Sequence, residues 1–163
     1  VGAFVRLGWR ERAGRLAEWF VTQQRPEGWR QWPEVVFRDS QPVRFLGDLP
    51  HTWVGSDWVR SFLDRLVYPR EADDALVIGA GVPPAWLEPP GVEVRDLPTP
   101  HGPVTFSMVR EEGGVTVRIA GDLRVPAGGI VVVAPEGSVL VRRIPATVRI
   151  PPAAAAPEGR AAQ

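Results

Sequence analysis

The apolar residues in the first 70 positions recur at helical spacing. Ala13, Leu16, Ala17 and Phe20 follow the i, i+3, i+4, i+7 rule and form one apolar stripe. The pattern predicts a helix over residues 9–24. Pro and Gly follow it and would end the helix.

Two further helical segments flank this helix in the sequence. Residues 1–7 have the character of a helix end, and Gly8 suits the left-handed residue that closes one. A third helix is expected to begin at Ser56, a good N-cap, and to end at about Tyr68, because Pro69 follows. Its apolar stripe consists of Val59, Phe62, Leu63 and Leu66.

Beyond residue 70 the period changes to two, which is typical of strands. A turn over residues 111–114 is expected to join two strands in a hairpin. Residues 130–134 are apolar throughout, as in a strand buried on both faces. The predicted strands lie at 76–80, 92–94, 104–108, 115–119, 130–134, 139–141 and 148–150. Short strands at this spacing favour an antiparallel β-sandwich over residues 71–150, followed by a disordered Pro/Ala-rich tail over 151–163.

Composition excludes several classes of function. The chain of 163 residues carries 19 basic and 19 acidic residues, which argues against a nucleic-acid partner or a charged membrane surface. It has no Cys, and its two His lie fifty positions apart, so neither a thiolate site nor another metal site is indicated. No apolar run is long enough to span a membrane, and no cofactor is expected.

The start of the chain suggests a longer parent protein. It begins at Val1, and its one Met is Met108. We therefore expect the C-terminal part of a longer polypeptide. The sequence gives no localisation, since any export signal would precede Val1.

The stretch over residues 28–57 combines many Pro and Gly residues with Trp29, Trp32 and Trp53. Its length and aromatic content predict an ordered, functional loop. Glu34 and His51 lie within it, and a carboxylate among aromatic side chains suits sugar binding and acid–base chemistry. The alternative is a structural loop, in which Glu34 and His51 only form hydrogen bonds and the Trp residues pack.

Three segments carry a resemblance to a known family. They are Trp32-Pro33-Glu34, Pro50-His51-Thr52-Trp53-Val54-Gly55-Ser56 and Thr99-Pro100-His101-Gly102-Pro103-Val104. With the helix and sheet between them, they resemble the C-terminal third of bacterial alpha-L-rhamnosidases and, more broadly, six-hairpin (α/α)6-toroid glycoside hydrolases. The family has Trp directly before the Glu, whereas Pro33 stands between them here.

The resemblance implies an α+β fold, in which residues 1–70 are the last helices of a toroid and residues 71–150 a C-terminal β-sandwich. It implies a carbohydrate substrate, Glu34 as the general base that activates water, and His51 as a sugar contact. Trp29, Trp32 and Trp53 would line the same cleft. Upstream polypeptide would supply the general acid, so the chain alone is expected to be inactive.

Two other functions fit the same residues. The chain could be a non-catalytic carbohydrate-binding or structural β-sandwich module of a larger protein, or a family member without activity. Outside the loop, Asp73-Asp74 and Glu111-Glu112 are predicted to be turn residues, and His101 is predicted to be solvated.

Overall fold

A computed structural model describes residues 1–24, 28–35 and 47–152. The chain divides into two compact units. The first contains the described residues of Val1–Tyr68 together with Val77–Pro83, and the second contains Pro69–Leu76 together with the described residues from Pro84 onward. The fold is α+β, with three α-helices and two sheets of antiparallel strands among these residues. The predicted tail beyond residue 152 and part of the predicted loop lie outside them.

The first two helices of the first unit follow the sequence prediction closely. Helix α1 spans Gly2–Arg6 and helix α2 spans Arg10–Thr22. Gly8 adopts φ +76°, its N–H donates to the Val5 carbonyl, and the Trp9 N–H donates to the Phe4 carbonyl. This is the Schellman arrangement. The rings of Phe4 and Trp9, 5.7 Å apart, supply the hydrophobic contact that accompanies it.

The third helix begins earlier than predicted. Helix α3 spans Thr52–Leu66 with His51 at its N-cap position, so the prediction of an N-cap at Ser56 is wrong. The Ser56 hydroxyl instead donates to the Trp53 carbonyl within the helix. The predicted loop therefore ends at His51. The helix also ends two residues before the predicted position, because the chain turns into a strand at Val67.

In the part of the chain that the structure describes, eight strands form the two sheets. The first sheet has the order β1-β2-β6-β7 and the second the order β3-β4-β5-β8. Their bounds are Val67–Arg70 (β1), Ala75–Ile78 (β2), Val92–Leu97 (β3), Val104–Glu111 (β4), Gly114–Ala120 (β5), Gly129–Ala134 (β6), Gly137–Val141 (β7) and Ala146–Ile150 (β8). Strand β1 was not predicted. The other seven coincide with the predicted strands to within a few residues. Two four-stranded antiparallel sheets are compatible with a β-sandwich.

The predicted hairpin is confirmed. In the pair β4–β5, Glu111 lies opposite Gly114 and Met108 lies opposite Val117. Strand β6 departs from its prediction, since Val131 and Val133 are only half-buried between fully buried neighbours.

The second unit has an apolar core between residues of its strands. The alternating positions predicted to face inward on β4 and β5 have at most 1% of their surface exposed. They are Val104, Phe106, Met108, Val115, Val117 and Ile119. This burial supplies the main driving force for folding the second unit.

His101 is not solvated as predicted. Its side chain is only 13% exposed, its Nε2 lies 4.0 Å from an Asp74 oxygen, and its Nδ1 is buried without a partner among the described residues. Asp74 adopts a left-handed conformation after a 3-10 turn over Glu71–Asp73, as expected for a turn residue.

Candidate functional site

Two short segments of the first unit pair to form the site. The Glu34 N–H donates to the Asp48 carbonyl at 3.0 Å, and the His51 N–H donates to the Trp32 carbonyl at 3.1 Å. These backbone bonds bring together residues that are 14 to 19 positions apart. Each of these bonds pairs a backbone N–H with a backbone C=O, and leaving such groups unpaired would cost free energy. The two segments are therefore held more firmly than by side-chain contacts alone. Helix α3 starts directly after them.

The Glu34 side chain lies against Gly47 and Asp48. Its Oε2 accepts a hydrogen bond from the Asp48 N–H at 3.3 Å. A Cβ on Gly47 would stand 2.3 Å from the same oxygen, and Gly47 has φ +63°. Any other residue at position 47 would therefore displace the Glu34 carboxylate as well as strain the backbone. Glu34 is exposed among the described residues, so the aromatic side chains predicted around it do not shield its carboxylate from water.

Glu34, Asp48 and His51 form one polar cluster. Each side chain offers one ligand atom, and these three atoms lie within 4.8 Å of one another. Both carboxylates are exposed and the imidazole is half-buried. Two carboxylates and one imidazole can exchange protons with a bound molecule or ligate a divalent cation. Exposed acidic groups gather in this way in many proteins without an ion, so the cluster does not by itself indicate a metal.

The predicted Trp residues fall into two groups. Trp32 is part of the packing of the first unit, because its indole N–H donates to the Phe20 carbonyl at 2.9 Å and its ring lies 5.1 Å from that of Trp58. Trp29 and Trp53 are 62% and 72% exposed. Trp53 is the second residue of α3, two positions after His51. The structure thus brings Glu34 and His51 together. Trp32 links α2 with α3, whereas the indoles of Trp29 and Trp53 are exposed.

Asp48 is the site residue that sequence reasoning missed. It follows Gly47 in the predicted loop, where an acidic residue has no periodic pattern to single it out. The sequence signal that could have found it is Gly47 itself, since glycine is the residue commonly used where the backbone approaches another group closely. Asp48 lies close to Glu34 because the Glu34 N–H donates to the Asp48 carbonyl. Hydrophobic periodicity does not reveal such a bond.

Comparison with known proteins does not identify a family. No protein-family model, no curated protein and no solved structure matches this chain. The glycoside hydrolase resemblance therefore depends on the sequence motifs alone. Among the described residues, no helix is both long enough and apolar enough to cross a membrane.

Proposed function

We propose that this chain is the C-terminal part of a glycoside hydrolase that resembles alpha-L-rhamnosidases, with Glu34 as the general base. The observation that supports this proposal best is the polar cluster of Glu34, Asp48 and His51, whose ligand atoms lie within 4.8 Å of one another. An ionised carboxylate accepts a proton from water, and an imidazole beside it can hydrogen-bond a sugar hydroxyl.

In this proposal the reaction inverts the anomeric configuration. The Glu34 carboxylate removes a proton from a water molecule, the water attacks the anomeric carbon, and a second carboxylic acid protonates the leaving oxygen. That acid stands across the sugar, and in inverting enzymes the two carboxyl groups are about 6.5–9.5 Å apart. Asp48 is too close to Glu34 for this role, since their ligand atoms are within 4.8 Å. The acid is therefore assigned to upstream polypeptide.

The exposed apolar side chains support the participation of upstream polypeptide. Val59 of α3 is 55% exposed, although it belongs to the apolar stripe of the helix. A helix normally turns such a stripe toward a neighbouring element. We assign further toroid helices to this surface, and Trp29 and Trp53 to the wall of the sugar cleft. The two sheets would then form the C-terminal β-sandwich.

The decisive experiment changes Glu34 in the full-length parent. Glu34→Gln should lower the turnover of aryl glycosides by about 100-fold or more, the scale of a lost acid–base group. The Gln carbonyl can still accept the Asp48 N–H, so the fold should be retained. Glu112→Gln, an exposed change in the β4–β5 turn, is the matched control and should leave turnover unaltered. Equal turnover in both variants would refute the assignment.

The second candidate is a non-catalytic module, either carbohydrate-binding or structural. The exposure of Glu34 favours it, because a general base normally acts in a site that excludes bulk water. Oligosaccharide titration of the 163-residue chain, followed by Trp fluorescence, separates the two forms of this module. A saturable change indicates sugar binding without upstream polypeptide, and no change leaves a structural role.

A further inference from the structure

The second unit has a groove on the polar face of the sheet β3-β4-β5-β8. Its volume is about 380 Å³, within the range of about 300–1,000 Å³ that small-molecule sites occupy. Its polar lining residues are Glu93, Thr105, Ser107, Arg118 and Thr147. The groove belongs entirely to the second unit and contains none of the residues of the Glu34 cluster.

The strand register places four of these residues in one row. Glu93 lies opposite Ser107, Ser107 opposite Arg118, and Arg118 opposite Thr147. Residues directly opposite each other in antiparallel strands project to the same face. Phe106 and Ile119, which alternate with this row, are buried beneath the sheet. The row therefore presents a carboxylate, a hydroxyl, a guanidinium and a hydroxyl side by side.

The positive charge of Arg118 is left uncompensated in this row. The Glu93 carboxylate is already engaged by Arg95, which donates two hydrogen bonds at 2.8 and 3.0 Å. These bonds, with the charge of Arg95, hold the pKa of Glu93 below its usual range. Among the described residues, no carboxylate lies within ion-pair distance of the Arg118 guanidinium.

The hydroxyl groups of the groove differ in whether they are already hydrogen-bonded within the protein. The Thr105 hydroxyl donates to the Asp96 carboxylate and accepts from the Asp96 N–H. The hydroxyls of Ser107 and Thr147 bond to none of the described residues, and each can both donate and accept. The free polar groups of the groove are thus one guanidinium with a hydroxyl on each side.

We propose that this groove binds a sugar acid, with its carboxylate on Arg118 and its hydroxyls on Ser107 and Thr147. The planar guanidinium matches a carboxylate with two parallel hydrogen bonds. A neutral sugar would lack this pairing and would find no exposed aromatic ring here, since Phe106 is buried. The proposal goes beyond hydrolysis at Glu34 and does not depend on it.

The test is titration of the 163-residue protein with digalacturonate, followed by calorimetry. We expect saturable binding, weaker binding of the neutral disaccharide of galactose, and a loss of at least about 10-fold for Arg118→Gln, the scale of a lost hydrogen bond to a charged group. Thr147→Val should cause a smaller loss. Arg149→Gln is the matched control: Arg149 lies on β8, two residues after Thr147, and is exposed but does not line the groove, so binding should be unchanged.

The proposal would be overturned by the absence of saturable digalacturonate binding, by equal binding of the neutral disaccharide, or by equal binding by the Arg118→Gln variant. Inorganic phosphate that displaces digalacturonate at equal concentration would show a general anion site and would also overturn it. Because Arg118 is exposed, the variant should melt at the temperature of the unaltered protein, which excludes unfolding as the cause of a loss. Glu34→Gln should bind digalacturonate normally, so this test and that of the hydrolase can fail separately.

Discussion

The two units of this chain differ in how they treat large apolar side chains. In the second unit, Phe106, Met108 and Ile119 have at most 1% of their surface exposed. In the first unit, Trp29 and Trp53 are more than 60% exposed. Large apolar side chains left in water on one region of a protein commonly mark a surface that binds something else. The second unit thus buries these large apolar side chains in its own core, whereas the first unit leaves two indoles in contact with solvent.

The largest expected change in the free energy of unfolding tests this difference in burial between the two units. Phe106→Ala should reduce the free energy of unfolding by about 3–5 kcal/mol, because it removes a fully buried ring and leaves a cavity. Trp53→Ala removes a larger ring from an exposed position and should change the free energy of unfolding by no more than about 0.5 kcal/mol. Urea unfolding of the 163-residue chain, followed by circular dichroism, measures both.

Phe106→Ala and Trp53→Ala serve as controls for each other. If Trp53→Ala costs as much stability as Phe106→Ala, the indole is packed and the first unit does not expose its aromatic residues. If both effects are small, the core of the second unit is not the source of its stability.

A smaller effect is expected where the first unit does pack closely. The Gly81 N–H donates to the Arg65 carbonyl at 3.0 Å, and the Arg65 Nε donates to the Gly81 carbonyl at 3.1 Å. A Cβ on Gly81 would lie 2.7 Å from the Arg65 Cα. Gly81→Ala should therefore destabilise the protein by about 1–3 kcal/mol, the usual cost of overpacking. An unchanged urea midpoint would mean that this contact is loose and that the first unit lacks a well-packed interior.

The second unit was the easier one to predict from sequence. Strands β3, β4, β5 and β8 follow the alternation of apolar and polar residues that is typical of a sheet with one face in the core. The 111–114 turn is local and needs no tertiary information. Strand β1 was missed because Pro69 suggested a helix end. The structure places this strand at the edge of its sheet, where a Pro is tolerated.

The first unit was harder to predict because tertiary contacts decide its local structure. Ser56 is a better N-cap than His51 by propensity, yet α3 begins at Thr52. The residue before it, His51, is held in place by the hydrogen bond from its N–H to the Trp32 carbonyl. The indole of Trp32 suggested a sugar platform, but its N–H is used by the Phe20 carbonyl. The proximity of Glu34 and Asp48 likewise comes from backbone pairing. Residue type identified candidate groups, and only the structure shows which of them meet.

The smallest expected change in the free energy of unfolding distinguishes an exposed helix face from a covered one. Gly55 lies inside α3, and a Cβ built on it meets nothing within 4 Å. Gly55→Ala should therefore stabilise the 163-residue chain by about 0.5–1 kcal/mol, because Ala loses less backbone entropy in a helix. Gly14→Ala, in the same open situation in α2, is the matched control. Thermal unfolding checks both.

The same substitution becomes more informative in a longer parent protein. If upstream helices pack on α3, the added methyl group at position 55 meets them, and the stabilisation seen in the short chain should shrink or reverse in the parent. If α3 remains open to solvent, the gain should be equal in both proteins. An equal gain would therefore remove the main structural support for assigning the exposed face of the first unit to further toroid helices, while a reversal would show that polypeptide covers α3 there.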